Sequence, residues 1–222
     1  GSPITAHAMA TFGCTYTCDY CSEGGGFRTR PPTEIAARAE RFMTVGAQAG
    51  ASAVFFDDAI LFGGNWHTID AFVRGRRGAD MPWAGQFTFP TLLRDQITVT
   101  RVLRDAVTMG FQYAYCGLEN GSDRVMATVS KSRRTAVWPE AARNGFAVLR
   151  RAGVPRIGAA VLFGLPGETD ASVEETIRLV AALVRDGLID VVSPNLATWH
   201  PGTPLTRHDG VRERLDFTKI PP

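Results

Sequence analysis

Three of the chain's four cysteines, Cys14, Cys18 and Cys21, fall in the spacing C-x3-C-x2-C, and the fourth, Cys116, stands far downstream. That is not the even spacing of a secreted disulfide framework. Thiolates are soft ligands, and three of them this close can wrap three irons of a [4Fe–4S] cluster. The fourth iron then lacks a protein ligand and is open to an exogenous molecule. Two other uses stay open at this point: a disulfide with one free thiol, and a three-cysteine zinc site with a distant fourth ligand. Zinc normally draws on two close ligand pairs, and no further C-x2-C or H-x3-H accompanies the triplet. Cys116, in an apolar run beside Tyr115, reads as a small core residue; thiyl chemistry or a second metal is its minority reading.

These thiols need elements to position them, and the chain alternates strand-like with helix-like segments. Strands are predicted over residues 7–13, 53–57, 85–89, 112–119, 156–164 and 190–197. Near-continuous apolar runs such as Ala159-Ala160-Val161-Leu162-Phe163 suit strands buried on both faces of a parallel sheet. A helix is predicted over 33–49, with Ile35, Ala39, Phe42, Val45 and Ala49 on one face. Val173, Ile177, Val180 and Val184 do the same in the fifth helix. A shorter helical pattern covers 68–74. Gly50, Gly110, Gly153 and Gly187 follow helical stretches, where a C-terminal cap favours a left-handed residue. Six βα units suggest an α/β barrel or an open doubly wound sheet, with ligands at the carboxyl ends of the strands. The cysteine triplet follows the first strand and so belongs to that end.

Composition narrows the function classes. The chain has 222 residues, 45% apolar and 21% charged, which excludes a disordered chain, a coiled coil and a collagen-like repeat. A formal charge of +2 gives no strong nucleic-acid signal. No run of 18 apolar residues is present to span a membrane, and no signal peptide is visible, so the expected location is cytoplasmic. Lys131 and Lys219 are the only lysines among 24 basic residues. The chain opens Gly1-Ser2-Pro3 and stops at Pro221-Pro222, and is expected to be one catalytic core, 1–222, of a longer protein.

Other residues could do chemistry at the strand ends. Asp57 and Asp58 close the second strand, where a carboxylate can accept hydrogen bonds from an ammonium, or merely cap a turn. Glu119 closes the fourth strand between Gly117 and Gly121, and a surface-turn role is its alternative. Gly164-Leu165-Pro166-Gly167 is a turn in any reading, and Glu168 is placed to cap the next helix. Gly24-Gly25-Gly26 allows close approach or plain flexibility. Lys131, Arg133 and Arg134 read as a solvated basic turn, with an anion contact as the minority reading. Trp199 and His200 face the same mouth; His7, His67 and His208 have no ligand spacing.

The triplet resembles the Cys-x3-Cys-x-aromatic-Cys motif of the radical S-adenosylmethionine (radical SAM) superfamily, with Tyr20 at the aromatic position. Residues 27–34 look like that family's lead into helix one. Phe55-Phe56-Asp57-Asp58 resembles its F-x-D-D segment, and Gly117-Leu118-Glu119-Asn120-Gly121-Ser122-Asp123 its G-L-E-S-G-S-D segment. Gly164-Leu165-Pro166-Gly167-Glu168-Thr169 matches G-L-P-G-E-T, and Pro201-Gly202-Thr203-Pro204-Leu205 matches P-G-T-P-L. The likeness is to the branch that often carries a cobalamin domain, although no D-x-H-x-x-G occurs here.

The resemblance implies a partial (β/α)6 TIM-like barrel of parallel strands. It implies a [4Fe–4S] cluster on Cys14, Cys18 and Cys21, with SAM chelating the open iron. Asp57 and Asp58 would hold the SAM amino group, with Asp58 favoured. Glu119 would meet the ribose hydroxyls or the amino acid part, and Gly164 would let the backbone approach adenine. One electron would cleave the sulfonium to a 5′-deoxyadenosyl radical that takes a hydrogen from substrate. The expected partners are a small biosynthetic substrate, with composition leaning toward natural products, and an electron donor such as flavodoxin or ferredoxin. An RNA- or protein-modifying radical SAM enzyme and a non-catalytic iron–sulfur or zinc protein are the alternatives.

Overall fold

The computed structural model describes residues 3–78, 80–131, 137–198, 200 and 202–207. Its strands are β1 (Thr5–Ala8), β2 (Ala53–Phe56), β3 (Trp83–Phe87), β4 (Phe111–Glu119), β5 (Arg156–Phe163) and β6 (Val191–Leu196). The helices are α1 (Pro32–Gln48), α2 (Trp66–Gly75), α3 (Phe89–Leu92), α4 (Gln96–Thr108), α5 (Asp123–Ala127), α6 (Trp138–Arg151) and α7 (Asp170–Arg185). The strands pair in chain order and all in parallel. The sheet curls into a half-barrel with β1 and β6 as its edges, which is the α/β partial barrel expected from the sequence.

Side chains alternate across each strand, so the two faces differ. On the convex face Val54, Phe56, Trp83, Phe111, Ala114 and Cys116 are buried in one core with Ile35, Ala39, Ile69, Phe72 and Leu103 from the helices. The Phe56 ring meets Phe62, Phe72 and Trp83 edge-on at 5.2, 5.9 and 6.2 Å, the favoured quadrupole geometry. The concave face, with Phe55, Gln86, Tyr113 and Tyr115, is only half-buried. Burial on both faces, expected for the apolar runs, therefore does not extend across the sheet. Among the described residues no helix is long and apolar enough to cross a membrane.

Several local expectations shift. β1 lies earlier than residues 7–13, because Thr5–Ala8 pair with β2 while the Thr11 N–H leaves the ladder for Asp58. β3 starts at Trp83, and Phe89 already opens α3 with Pro90 in its first turn. The pattern at 68–74 extends to Trp66–Gly75, capped by Asn65, whose side chain accepts from the His67 and Thr68 N–H groups. In α1 the buried stripe is Ile35, Ala36, Ala39, Met43 and Gly46, and Val45 is exposed. In α7 Ile177 and Val184 are exposed, while Ser172, Thr176 and Leu183 are buried. Gly50, Gly110, Gly153 and Gly187 all take the left-handed conformation foreseen for helix ends.

Candidate functional site

The cysteine loop joins β1 to α1 and is closed by glycine. Gly13 has φ +76°, and a Cβ there would lie 2.9 Å from the Gly26 carbonyl oxygen. Cys14 forms bridges to Gly24 and Gly26, so the three-glycine stretch is the return path of the loop. Other strand ends hold it from outside. The Asp19 N–H donates to the Val129 carbonyl at 3.3 Å, and the Leu205 N–H donates to the Asp19 carbonyl at 2.9 Å. The Ser130 hydroxyl donates to Asp19 Oδ2 at 2.8 Å.

Cys14, Cys18 and Cys21 line one cavity of about 140 Å³ with Tyr16, Tyr20, Gln86, Gly117, Glu119 and Lys131. None of the four cysteines is in a disulfide in the structure. Among the described residues no three His, Cys, Asp or Glu side chains cluster tightly enough to share one ion. Thiols spread around a cavity suit one thiolate per iron of a cluster better than a common zinc. Burial pushes the Cys14 thiol up, and it pushes Cys18 up to about 11 although Lys131 pulls the other way. Thiolates here need a cationic partner, and an iron cluster is one that this donor set fits. Burial, followed by the Glu119 charge, raises the Tyr20 phenol well above the ordinary value.

Glu119 and Lys131 form a buried ion pair at the cavity wall. Glu119 and Ser130 both have φ +61°, a left-handed conformation costing a non-glycine residue about 1–2 kcal/mol. That strain turns the end of β4 and the end of the following segment toward each other. A Cβ at Gly117 would collide with both charged groups. Lys131 also lies 5.7 Å above the Trp138 ring. Burial pulls its ammonium down, but Glu119, Cys18 and Cys21 push it up further, so it stays protonated. The solvated basic turn expected at Lys131 is thus corrected. The available signal was a lysine among arginines, a point charge where a planar fork would not fit.

The cavity gathers Tyr20 and Glu119 with the cysteines, but not Asp57, Asp58 or Gly164. Asp58 is fully buried, and its carboxylate accepts the Thr11 N–H at 2.8 Å and the Phe62 N–H at 3.1 Å. It braces two loops from behind. Asp57 Oδ2 lies 2.8 Å from His7 Nδ1 at the β1 edge. Asp57 and Asp58 do not themselves line this cavity, whereas Ala59 and Ile60, which follow them, do. Gly164 has φ +85°, and its N–H donates to Glu168 Oε2 at 2.5 Å. Glu168 also accepts from Asn120 at 2.6 Å, so it ties two strand ends together. The cap of α7 is Thr169, reciprocally bonded with Ser172, not Glu168. Cys116 is fully buried, its thiol pushed up to about 12 by that burial, as a core residue should be. His200 pairs locally with Thr198 at 3.0 Å. Arg133, Arg134, Trp199, Pro201 and His208 lie outside the described residues.

A family model described as the radical SAM superfamily matches residues 9–180. A tRNA-2-methylthio-N(6)-dimethylallyladenosine synthase of Bifidobacterium adolescentis is 24% identical over 97% of this chain and 45% of its own length. Among the solved structures that share the fold are two cobalamin-binding enzymes. One is the radical SAM methyltransferase TsrM of Kitasatospora setae, with cobalamin and a [4Fe–4S] cluster bound: TM-score 0.72, 19% identity, covering 90% of this chain and 36% of that one. The other is the cobalamin-dependent SAM radical enzyme OxsB with aqua-cobalamin and SAM bound: TM-score 0.70, 13% identity, 94% and 35% covered. The chain thus spans less than half the length of each of these relatives.

Proposed function

This chain belongs to the radical SAM superfamily, and on that premise we propose that it is the core of an enzyme in which Cys14, Cys18 and Cys21 each hold one iron of a [4Fe–4S] cluster and SAM binds over the fourth. The observation that carries this reading is the convergence of three free thiols with Tyr20, Glu119 and Lys131 in one cavity at the carboxyl ends of the strands. A [4Fe–4S] cluster held there by Cys14, Cys18 and Cys21 would supply the one-electron chemistry that cleaves SAM for hydrogen abstraction from a small biosynthetic substrate. The protein's own part is position and exclusion of water. Glu119, paired with Lys131, accepts hydrogen bonds from the ribose hydroxyls or the amino acid part of SAM. Tyr20 shares the cavity with Cys18 and helps to close it. The left-handed turn at Gly164, outside that cavity, would leave room for backbone to approach adenine. A flavodoxin- or ferredoxin-type donor supplies the electron.

Anaerobic reconstitution with iron and sulfide, followed by dithionite and SAM, tests the reading. Release of 5′-deoxyadenosine is expected; an intact reduced cluster with no release sinks it. Alanine at Cys14, Cys18 or Cys21 is expected to abolish the cluster's visible absorbance.

The tRNA-directed relative favours a second reading, a radical SAM enzyme acting on RNA. Filter binding of tRNA over a series of salt concentrations separates the two. Steeply salt-dependent binding supports the RNA reading, because phosphate contacts release counterions.

A further inference from the structure

The register of the strands builds an aromatic surface on the concave face. It sets His7 beside Phe55, Phe55 beside Ala84, and Ala84 beside Tyr113. One step nearer the carboxyl ends, Gln86 lies beside Tyr115, and Tyr115 beside Gly158. The rings are contiguous. Centroids are 5.8 Å apart for His7 and Phe55, 6.3 Å for Phe55 and Tyr113, and 6.1 Å for Tyr113 and Tyr115. The Tyr113 hydroxyl lies over Gly158, where any Cβ would collide with it. Phe55, Tyr113 and Tyr115 are half-exposed, whereas the large rings of the convex face, such as Phe56, Trp83 and Phe111, are fully buried.

This surface borders the cysteine cavity directly, because Gln86, in the same row as Tyr115, lines that cavity. The next row up is small: Gly117, Ala160 and Ser193 are register neighbours. The chemistry of the surface limits what it suits. An acyl chain would want aliphatic walls, and Leu162 and Val191, the large aliphatic side chains on this face, stand on β5 and β6, three and four strands away from Phe55. A phosphorylated ligand would want several cations; Arg156, beside Tyr113, is the only arginine or lysine in the six strands, and Lys131 in the neighbouring cavity is already paired with Glu119. Rings with negative faces and positive edges favour another planar ring, offset or edge-on. Burial pushes the Tyr113 phenol up to about 12, so it stays a neutral hydrogen-bond donor.

We propose that this row is the substrate wall: a small molecule bearing a planar aromatic or heteroaromatic ring stacks on Phe55, Tyr113 and Tyr115, with a polar edge toward Gln86. The assignment rests on the radical SAM reading for what happens to that ring, but ring binding itself needs neither cluster nor electron. Its test is ligand-observed NMR on the full chain without reductant. The probes are indole and para-cresol, with methylcyclohexanol as the saturated counterpart of similar size. Both ring probes are expected to bind at least fivefold more tightly than methylcyclohexanol. Tyr113→Ala and Tyr115→Ala are each expected to weaken ring binding about tenfold. Tyr115→Phe keeps the stacking face and is expected to stay within about twofold of wild type, and a melting curve on each variant separates lost binding from lost fold. Equal binding of saturated and aromatic probes, or alanine variants that bind the rings as wild type does, overturns the proposal. Absence of 5′-deoxyadenosine release by the wild-type protein would instead overturn the radical reading and leave the ring-binding result standing.

Discussion

Lys131 and Glu119 carry the consequences that belong to single residues. Removing one member of a buried ion pair strands the other in a poorly solvated place. Lys131→Met is therefore expected to cost about 3–5 kcal/mol in urea unfolding. Adding Glu119→Gln should recover part of that loss, a coupling that a double-mutant cycle reads out. Glu119→Gln alone should weaken SAM binding, measured by titration, while iron content stays at the wild-type level. Asp58 gives a pH signature. Burial raises its carboxyl against two backbone N–H bonds that lower it. A folded carboxyl raised above its unfolded value is penalised when ionised, and that penalty fades as it protonates. Wild type should thus gain stability relative to Asp58→Asn as pH falls from 7 toward about 4, in paired thermal melts. The sequence exposed the cysteines because their spacing is itself chemical. It hid Lys131, because nothing local shows that a turn twelve residues after Glu119 folds back onto it.

At the scale of elements, the strand order and most helices were legible, whereas which face each helix buries was less so. Apolar periodicity placed Ile177 and Val184 of α7 inward, and the structure exposes both. The reason is the close approach of α7 to the turn after β4. A Cβ at Gly121 would lie 2.5 Å from Thr176 Cα. The Thr176 hydroxyl accepts the Gly121 N–H at 2.8 Å and bonds Asn120 at 3.1 Å. Small polar side chains let the backbones meet, and a hydrophobicity pattern cannot register that. Gly121→Ala should therefore force the helix outward and cost about 1–3 kcal/mol in denaturant unfolding, although it adds only a methyl group. The same displacement would shift Asn120 and, through it, the Glu168 bridge to the Gly164 turn.

For the whole molecule, the two faces of one sheet divide the work, and that division follows from period-two alternation along each strand. The convex face holds the core; the concave face stays partly open and carries the proposed ligand contacts. Stability and ligand binding should then respond to different substitutions on adjacent residues. Phe56→Ala removes a fully buried ring whose edge contacts reach Phe62, Phe72 and Trp83, and is expected to cost about 3–5 kcal/mol. Ala160 lies on the other face, half-buried, between Gly117 and Ser193. Ala160→Phe puts a ring into open space, so unfolding free energy should move by less than about 1 kcal/mol. The same ring fills the small row above Tyr115, beside Gly117 at the wall of the cysteine cavity proposed to hold SAM. SAM affinity should fall at least about tenfold, equivalent to about 1.4 kcal/mol, while the reconstituted protein keeps its iron. Unfolding curves, iron analysis and SAM titration on these two variants decide the matter. If Ala160→Phe lost stability and SAM binding together, the concave face would be part of the core and the separation of roles would fail.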